Sequence, residues 1–375
     1  MVGFDRGLTL AQRFRAHAGE QTHLYGYALR GMADDLESDG PTLRVVRGYE
    51  HAPTGSVIQL RLLAGIFRLV LTGRAPDLQP YYACLGGAEP PAEAWPVMRR
   101  VIADHPDELH EALAIAPQTN EVGRSVALLV GLFDLVTASG CDRVRLLELG
   151  ASAGLNQLLD RFHVVGDGWS WGPVGSPVQL LGAVHGAIEP VELEIVGARG
   201  CDLDPVDPTS DRGRLRLTSF VWPFDVHRHE RLAGALRLAA AHPPVVDRAS
   251  ASSWLTARLA DLAPEPSTLT VIWHSVTQLY WPGAEVAAVQ AELSSYGRDH
   301  RVAEVGMEYA SVGDPAAKPE VHTTYWSGGE GPPRRRLVGI AHDHGIPVRV
   351  PPVTQAWSPI PRPAGRTPAG RSTSP

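Results

Sequence analysis

Residues 143–161 read RVRLLELGASAGLNQLLDR, and the order of these side chains decides the expected fold. Val144, Leu146, Leu147 and Leu149 form an apolar run of strand length, and the turn from Gly150 to Gly154 holds only Gly, Ala and Ser. Leu155, Leu158, Leu159 and Phe162 then recur at helical spacing. The expectation is strand, tight turn, helix. Small residues in such a turn let the backbone close on a ligand, and free N–H groups at a helix start face whatever sits above the sheet edge.

Two chemistries can be written onto this turn. As Glu148-x-Gly150-x-Ser152-x-Gly154 it resembles the first motif of S-adenosylmethionine (SAM) dependent methyltransferases, an acid at a strand end followed by a small-residue loop. As Gly150-Ala151-Ser152-Ala153-Gly154 it is GxSxG, the nucleophile elbow of α/β-hydrolases. A βα turn that binds nothing is the plain alternative, so the context has to choose.

The chain has 375 residues, enough for one large core with an added subdomain or for two domains. Its formal net charge of −7 argues against a protein built to grip nucleic acid, since no basic excess exists to displace counterions from phosphates. A small-molecule substrate fits better. Cys84, Cys141 and Cys201 are far apart, odd in number and in no CxxC spacing, which suggests neither a disulfide framework nor a cysteine zinc site. The expected location is a reducing cytoplasm. The first ten residues lack the apolar stretch of a signal peptide, and no membrane span is expected.

Residues 1–116 read as a helical subdomain. Leu10, Phe14 and Ala18 share one helix face, Tyr25, Leu29 and Met32 another. The apolar segment 57–71 is expected to be a buried helix, with Ser56 as cap, Gly73 as stop, and Arg61 and Arg68 reaching the surface along their stems. Residues 95–116 read as further helix broken near Pro106. The polar stretch 118–124 (QTNEVGR) opens a helix striped by Val122, Val126, Leu129, Phe133 and Val136. It either caps that helix or supplies side chains to a ligand cleft.

Residues 117–350 read as the α/β domain. Strand-like runs near 178–181, 191–196, 244–247, 269–274 and 302–307 alternate, from 232 onward, with helical stretches near 232–240, 253–262 and 284–293. That order implies a parallel sheet with helices on both faces. Residues 167–177, rich in Gly, Trp and Pro, are expected to be irregular, and an insertion or lid is expected near 163–196. Runs at 322–327 and 337–341, joined by GGEGPP, suit a closing antiparallel hairpin. Residues 351–375 are expected to be a disordered tail.

A second acidic strand tip favours the methyltransferase reading. Residues 200–205, GCDLDP, resemble the strand end whose carboxylate accepts from both ribose hydroxyls of SAM, which makes Asp202 the expected ribose ligand. Turn or cap roles for Asp202 and Asp204 are the alternative. A hydrolase needs several strands before its elbow and an oxyanion loop, whereas the first 140 residues look helical. Asp247, His274, His342 and His344 nevertheless leave a Ser, Asp, His order open by letters alone. An NAD dehydrogenase is weaker still, because Ser152 replaces the middle glycine of GxGxxG. His274, after a strand facing the cleft edge, could remove a proton from an acceptor or could be a satisfied core histidine. His342 and His344 share a face in any ordinary hairpin, so no metal is expected there. Arg334 to Arg336 read as a solvated surface run.

With residues 118–124, 147–160, 201–207, 221–223 and 274–276 taken together, the chain resembles an uncharacterised bacterial family catalogued as domain of unknown function 2332, from about residue 10 to about residue 350. The resemblance implies a helical N-terminal part followed by a SAM-methyltransferase-like domain. That domain would be Rossmann-like, with a mostly parallel sheet and an antiparallel last strand. It would bind SAM through Glu148, Gly150, Ser152, Gly154 and Asp202, with His274 the candidate catalytic residue and a small molecule the acceptor. A serine esterase using Ser152, or a non-catalytic nucleotide binder of the same fold, are the competing readings. One departure is Asp247-Arg248, where such chains commonly read GD, so the adenine-side contact usual there is not carried over.

Overall fold

A computed structural model describes residues 7–118, 120–263, 265–311, 317–329, 331–352 and 356–359. Its first part is helical: α1 (Leu10–Ala18), α2 (Leu24–Glu37), α3 (Pro41–Val45), α4 (Ile58–Leu71), α5 (Ala94–Asp104) and α6 (Pro106–Ala112). Phe14, Leu29, Met32 and Phe67 close a core of their own, against which Trp222 and Phe224 from the later chain also pack. Two expectations for α4 change. Ser56 belongs to a 3-10 turn and Val57, at φ 42°, precedes the helix without any side-chain cap. Burial of α4 on most sides holds its start instead, since tertiary packing outweighs capping in an apolar helix. Nor do the two arginines reach out to solvent. Arg61 donates to the carbonyls of Ser56 (2.7 Å) and Leu113 (2.9 Å), and Arg68 to Ser219 Oγ (3.1 Å).

The α/β part comprises α7 (Ser125–Ser139), β1 (Arg143–Leu149), β2 (His163–Gly166), β3 (Trp169–Trp171), β4 (Gln179–His185), β5 (Glu194–Asp202), α8 (Asp211–Ser219), α9 (Val226–Ala241), β6 (Val246–Arg248), α10 (Ala251–Asp261), β7 (Thr268–Ser275), α11 (Gly283–Tyr296), β8 (Arg301–Tyr309), β9 (Pro319–Ser327), β10 (Arg334–Ala341), β11 (Val348–Arg349) and β12 (Ser358–Pro359). One mixed sheet takes all twelve strands, in the order β3-β2-β4-β11-β10-β9-β8-β7-β1-β5-β6, with β12 beside β10. Strands β6, β5, β1, β7 and β8 are parallel, and β9 runs antiparallel between β8 and β10. The closing hairpin read from the sequence is therefore present.

Period-two alternation in β1 explains why helices cover both faces. Val144 and Leu146 enter a core shared with α7 and α9, while Leu147 and Leu149 enter another shared with α10 and α11. By length and composition two 18-residue stretches, Thr54–Leu71 and Val122–Ser139, are apolar enough to cross a membrane. In the fold they include α4 and α7, whose side chains fill the two largest cores.

The stretch 163–196 forms neither a lid nor wholly irregular structure. It supplies β2, β3 and β4, which lengthen the sheet at its far edge through the pairing of β4 with β11. Of the tail, residues 358–359 form β12, Trp357 before it lies over the Arg336 guanidinium, 4.7 Å from the ring centroid, and the remainder lies outside the described residues apart from 351, 352 and 356. Arg336 is accordingly no surface residue: it pairs with buried Asp134.

Helix α7 reaches the sheet through Gly131, where an added Cβ would lie 2.5 Å from Val305 Cγ1 and 2.8 Å from Cγ2. Gly131→Ala should therefore lower stability by about 1–3 kcal/mol through overpacking, although alanine favours a helix by about 1 kcal/mol. Urea unfolding checks this, and an unchanged or higher midpoint would refute the close approach.

Candidate functional site

Strand β1 has β5 on one side and β7 on the other, and ligands of open α/β sheets bind outside the carboxyl ends where strand order reverses. The turn that leaves β1 is tight, with positive φ at Gly150 (71°), Ser152 (54°) and Gly154 (70°). Its N–H groups are already engaged. Gly150 and Ala151 donate to the Cys201 carbonyl (2.9 Å each), Ser152 to Asp202 Oδ2 (2.8 Å), and Ala153 and Leu155 to Asn120 Oδ1 (3.0 Å each). This corrects the expectation of free N–H groups facing a ligand. The helix expected after the turn is a 3-10 segment, Leu155–Arg161, which passes directly into β2.

The glycines answer to packing within the protein. A Cβ on Gly150 would lie 2.3 Å from Thr277 Oγ1, and one on Gly154 would lie 2.8 Å from Pro244 and Val246.

Asp202, half-buried at the tip of β5, gathers the edge together. Oδ2 accepts from the Ser152 N–H, and Oδ1 accepts from the Asp204 N–H (2.9 Å) and from Gln118 Nε2 (3.3 Å). Ser152 Oγ and Gln118 Oε1 remain buried without a partner. Asp204, expected to serve the following turn, instead bonds arginines of α8 and β6. It pairs with Arg216 (2.8 Å) and Arg248 (3.0 Å), which hold its carboxyl below the usual range. Asp247 is taken by Arg199 and by Trp254 Nε1.

Two expected site residues lie deeper than a ligand contact would require. Glu148 is 2% exposed beneath the turn, where burial pushes its carboxyl up to about 8 against the opposing N–H groups of Asn156, Gln157 and Trp273. His274 is 3% exposed, with Nδ1 2.9 Å from Glu308 Oε1 and Nε2 3.3 Å from Glu304 Oε1. Burial alone would lower its pKa, but hydrogen bonds to Glu304 and Glu308 overcome it and raise the imidazole to about 9. Both ring nitrogens then donate, so His274 has no lone pair for an acceptor's proton. Held by two carboxylates of β8, His274 ties β7 to β8 at this edge.

No histidine bonds Ser152 Oγ either. His274 is held by its two glutamates, and His344 accepts from Arg228 at 3.4 Å while burial and that arginine lower it to about 4. The nucleophile reading thus lacks its base among the described residues.

Sequence reasoning missed the other half of the edge. Glu308 Oε1 also accepts from the N–H groups of Thr277 (3.1 Å) and Gln278 (3.4 Å), placing Thr277 over Gly150. Arg124 lies between the carbonyls of Ser275 and Asp343, 3.4 Å from each, near Tyr280 and Tyr309. The signals were present: two acids four residues apart in the otherwise apolar strand β8, and the polar stretch that precedes α7. That stretch leaves α7 without a side-chain cap but caps the 3-10 turn Val122–Arg124 before it and reaches the sheet edge. Glu121 accepts from the Gly123 N–H, while Gln118 and Asn120 grip the Asp202 edge.

Fold and edge define an α/β protein whose mixed sheet gathers polar side chains at the carboxyl ends of β1, β5, β7 and β8. The chain belongs to the family described as uncharacterized protein conserved in bacteria (DUF2332), whose model matches residues 9–349. No match is found among curated proteins or among solved structures.

Because the folded pKa of His274 lies above its ordinary 6.5, its contribution to stability is complete below about pH 6.5 and is lost as pH rises through about 9. Glu148 acts in the same direction, complete below about 4.5 and lost through about 8. Urea unfolding at a series of pH values should show stability falling from pH 6.5 to 9. His274→Gln should flatten the fall, and an equal slope in the variant would refute the clamp.

Asn120→Ala should speed amide exchange at Ala153 and Leu155, whose N–H groups lose their acceptor, while Asn120→Asp should leave both protected. Unchanged exchange in the alanine variant would remove Asn120 as the cap of this turn.

Proposed function

We propose that this chain is a SAM-binding, methyltransferase-like protein of Rossmann-like type whose acceptor is a small molecule. The observation that supports it best is the convergence at Asp202. Ser152 and Gln118 both bond this carboxylate, and each keeps one buried oxygen without a partner, a polar set matching the paired hydroxyls of a ribose. In this reading Asp202, Ser152 and Gln118 hold the nucleoside, and Glu148 supports the turn from below. Bound SAM would supply an activated methyl group.

Two further features support it. Five parallel strands followed by antiparallel β9 suit the layout that the motif resemblance implies. A turn whose N–H groups are engaged internally offers little to a pyrophosphate, which favours SAM over a phosphate-bearing dinucleotide.

Calorimetric titration tests the reading. SAM should bind the wild type and NAD should not. Ser152→Ala keeps the backbone bond to Asp202 while removing the hydroxyl, and should weaken SAM by roughly two- to twelvefold, the worth of one neutral hydrogen bond. Asp202→Asn sets a donor against donors and should weaken it at least about tenfold. No heat with SAM, or covalent labelling of Ser152 by a fluorophosphonate, would overturn the assignment.

A further inference from the structure

Arg124 carries an unanswered charge. Its guanidinium is buried enough to lower its pKa, its Nε has no partner, and its two contacts are long bonds to backbone carbonyls. Among the described residues it makes no ion pair, and the nearby carboxylates are engaged elsewhere. Glu121 pairs with Arg228 and Arg231, Asp343 accepts from Tyr309 and Lys318, and Glu308 Oε1 serves His274, Thr277 and Gln278. Glu308 Oε2 alone stays buried and unpartnered.

The backbone fixes this arrangement. A Cβ on Gly123 would lie 2.5 Å from the His344 carbonyl, and one on Gly345 2.3 Å from the Arg124 nitrogen, so the loop after β10 docks directly on the start of α7. Arg124 is thereby set at the carboxyl end of β7, across β1 from Asp202. Around it Ser275, Thr277, Gln278, Tyr309 and Asp343 are only half-buried, and Tyr280 is exposed.

We propose that Arg124 anchors the carboxylate of a small acid, with Glu308 Oε2 taking a hydrogen bond from a hydroxyl or amino group on the same molecule. A guanidinium fork matches a carboxylate with two parallel N–H···O bonds. Glu121 and Glu308 close by disfavour a dianion, so a carboxylate fits better than a phosphate. As the methyl acceptor's anchor, Arg124 rests on the reading above; as a carboxylate site it stands without SAM.

The probe is 3-hydroxybenzoate, titrated at pH 7 into the full chain without SAM, beside the uncharged 3-hydroxybenzamide. The acid should bind the wild type saturably and the amide at least about tenfold more weakly; Arg124→Gln should weaken the acid by a similar factor, and Arg124→Lys by less. Inorganic phosphate at equal concentration should not displace the acid. Absent binding, equal binding of acid and amide, wild-type affinity in Arg124→Gln, or displacement by phosphate would each overturn the proposal. If circular dichroism shows Arg124→Gln unfolded, the acid–amide contrast in the wild type decides. A protein that binds the acid but gives no heat with SAM keeps this site and loses the methyltransferase reading.

Discussion

The Asp202 carboxylate is the point at which three separate parts of the chain are tied. It receives the N–H of Ser152 in the turn after β1, the N–H of Asp204 after its own strand, and the amide of Gln118 arriving from the helical subdomain. Hydrogen bonds to an ionised acceptor contribute about 1.5–3 kcal/mol each, more than neutral ones. The cost of losing the acceptor is larger than that of losing a contact, because partly buried N–H groups would be left without a partner. The Asp202 carboxylate thus joins the turn after β1, the end of β5 and Gln118 at one strand tip.

Buried charges elsewhere act on the same edge. His274 sits between Glu304 and Glu308, and Glu121 between Arg228 and Arg231. Taking such groups out of water is expensive, and removing one partner typically costs about 3–5 kcal/mol. What these clamps accomplish is placement. Glu308 sets the loop after β7 over the turn after β1, while Glu121 sets the start of α7 against α9. Gly306 is needed for the first of them, since a Cβ there would lie 2.8 Å from His274 Cε1.

The widened sheet follows from a different constraint. The chain leaving β1 makes no α-helical crossover and builds β2, β3 and β4 at the opposite end before returning as β5. Trp169 and Trp171 pack edge-on against Phe133 of α7, so the Gly- and Trp-rich stretch contributes the short strand β3, while residues 172–177 stay irregular as its composition implied. A cavity of about 380 Å³ lies beside α7 between this extension and β10, and no candidate site residue lines it.

Much of the fold was legible in the sequence. The stripes of α1, α2 and α7, the break at Pro106, the apolar runs of β1, β7 and β8, and the closing hairpin are all local patterns, and local patterns survive because side-chain periodicity determines which face can be buried. Asp202 was also legible as a carboxylate at a strand tip. The helix expected after Gly154 was not secure, because its leucines satisfy a 3-10 segment equally well when the chain must turn at once into β2. What only the tertiary structure decided is who bonds whom. Asn120 caps a turn 33 residues away, Gln118 meets Asp202 across 84, and two glutamates from the neighbouring strand reach His274 and raise its pKa. Such partners are chosen by strand order and register, and a protonation state depends on burial and neighbouring charge; neither is written in the spacing of residues along the chain.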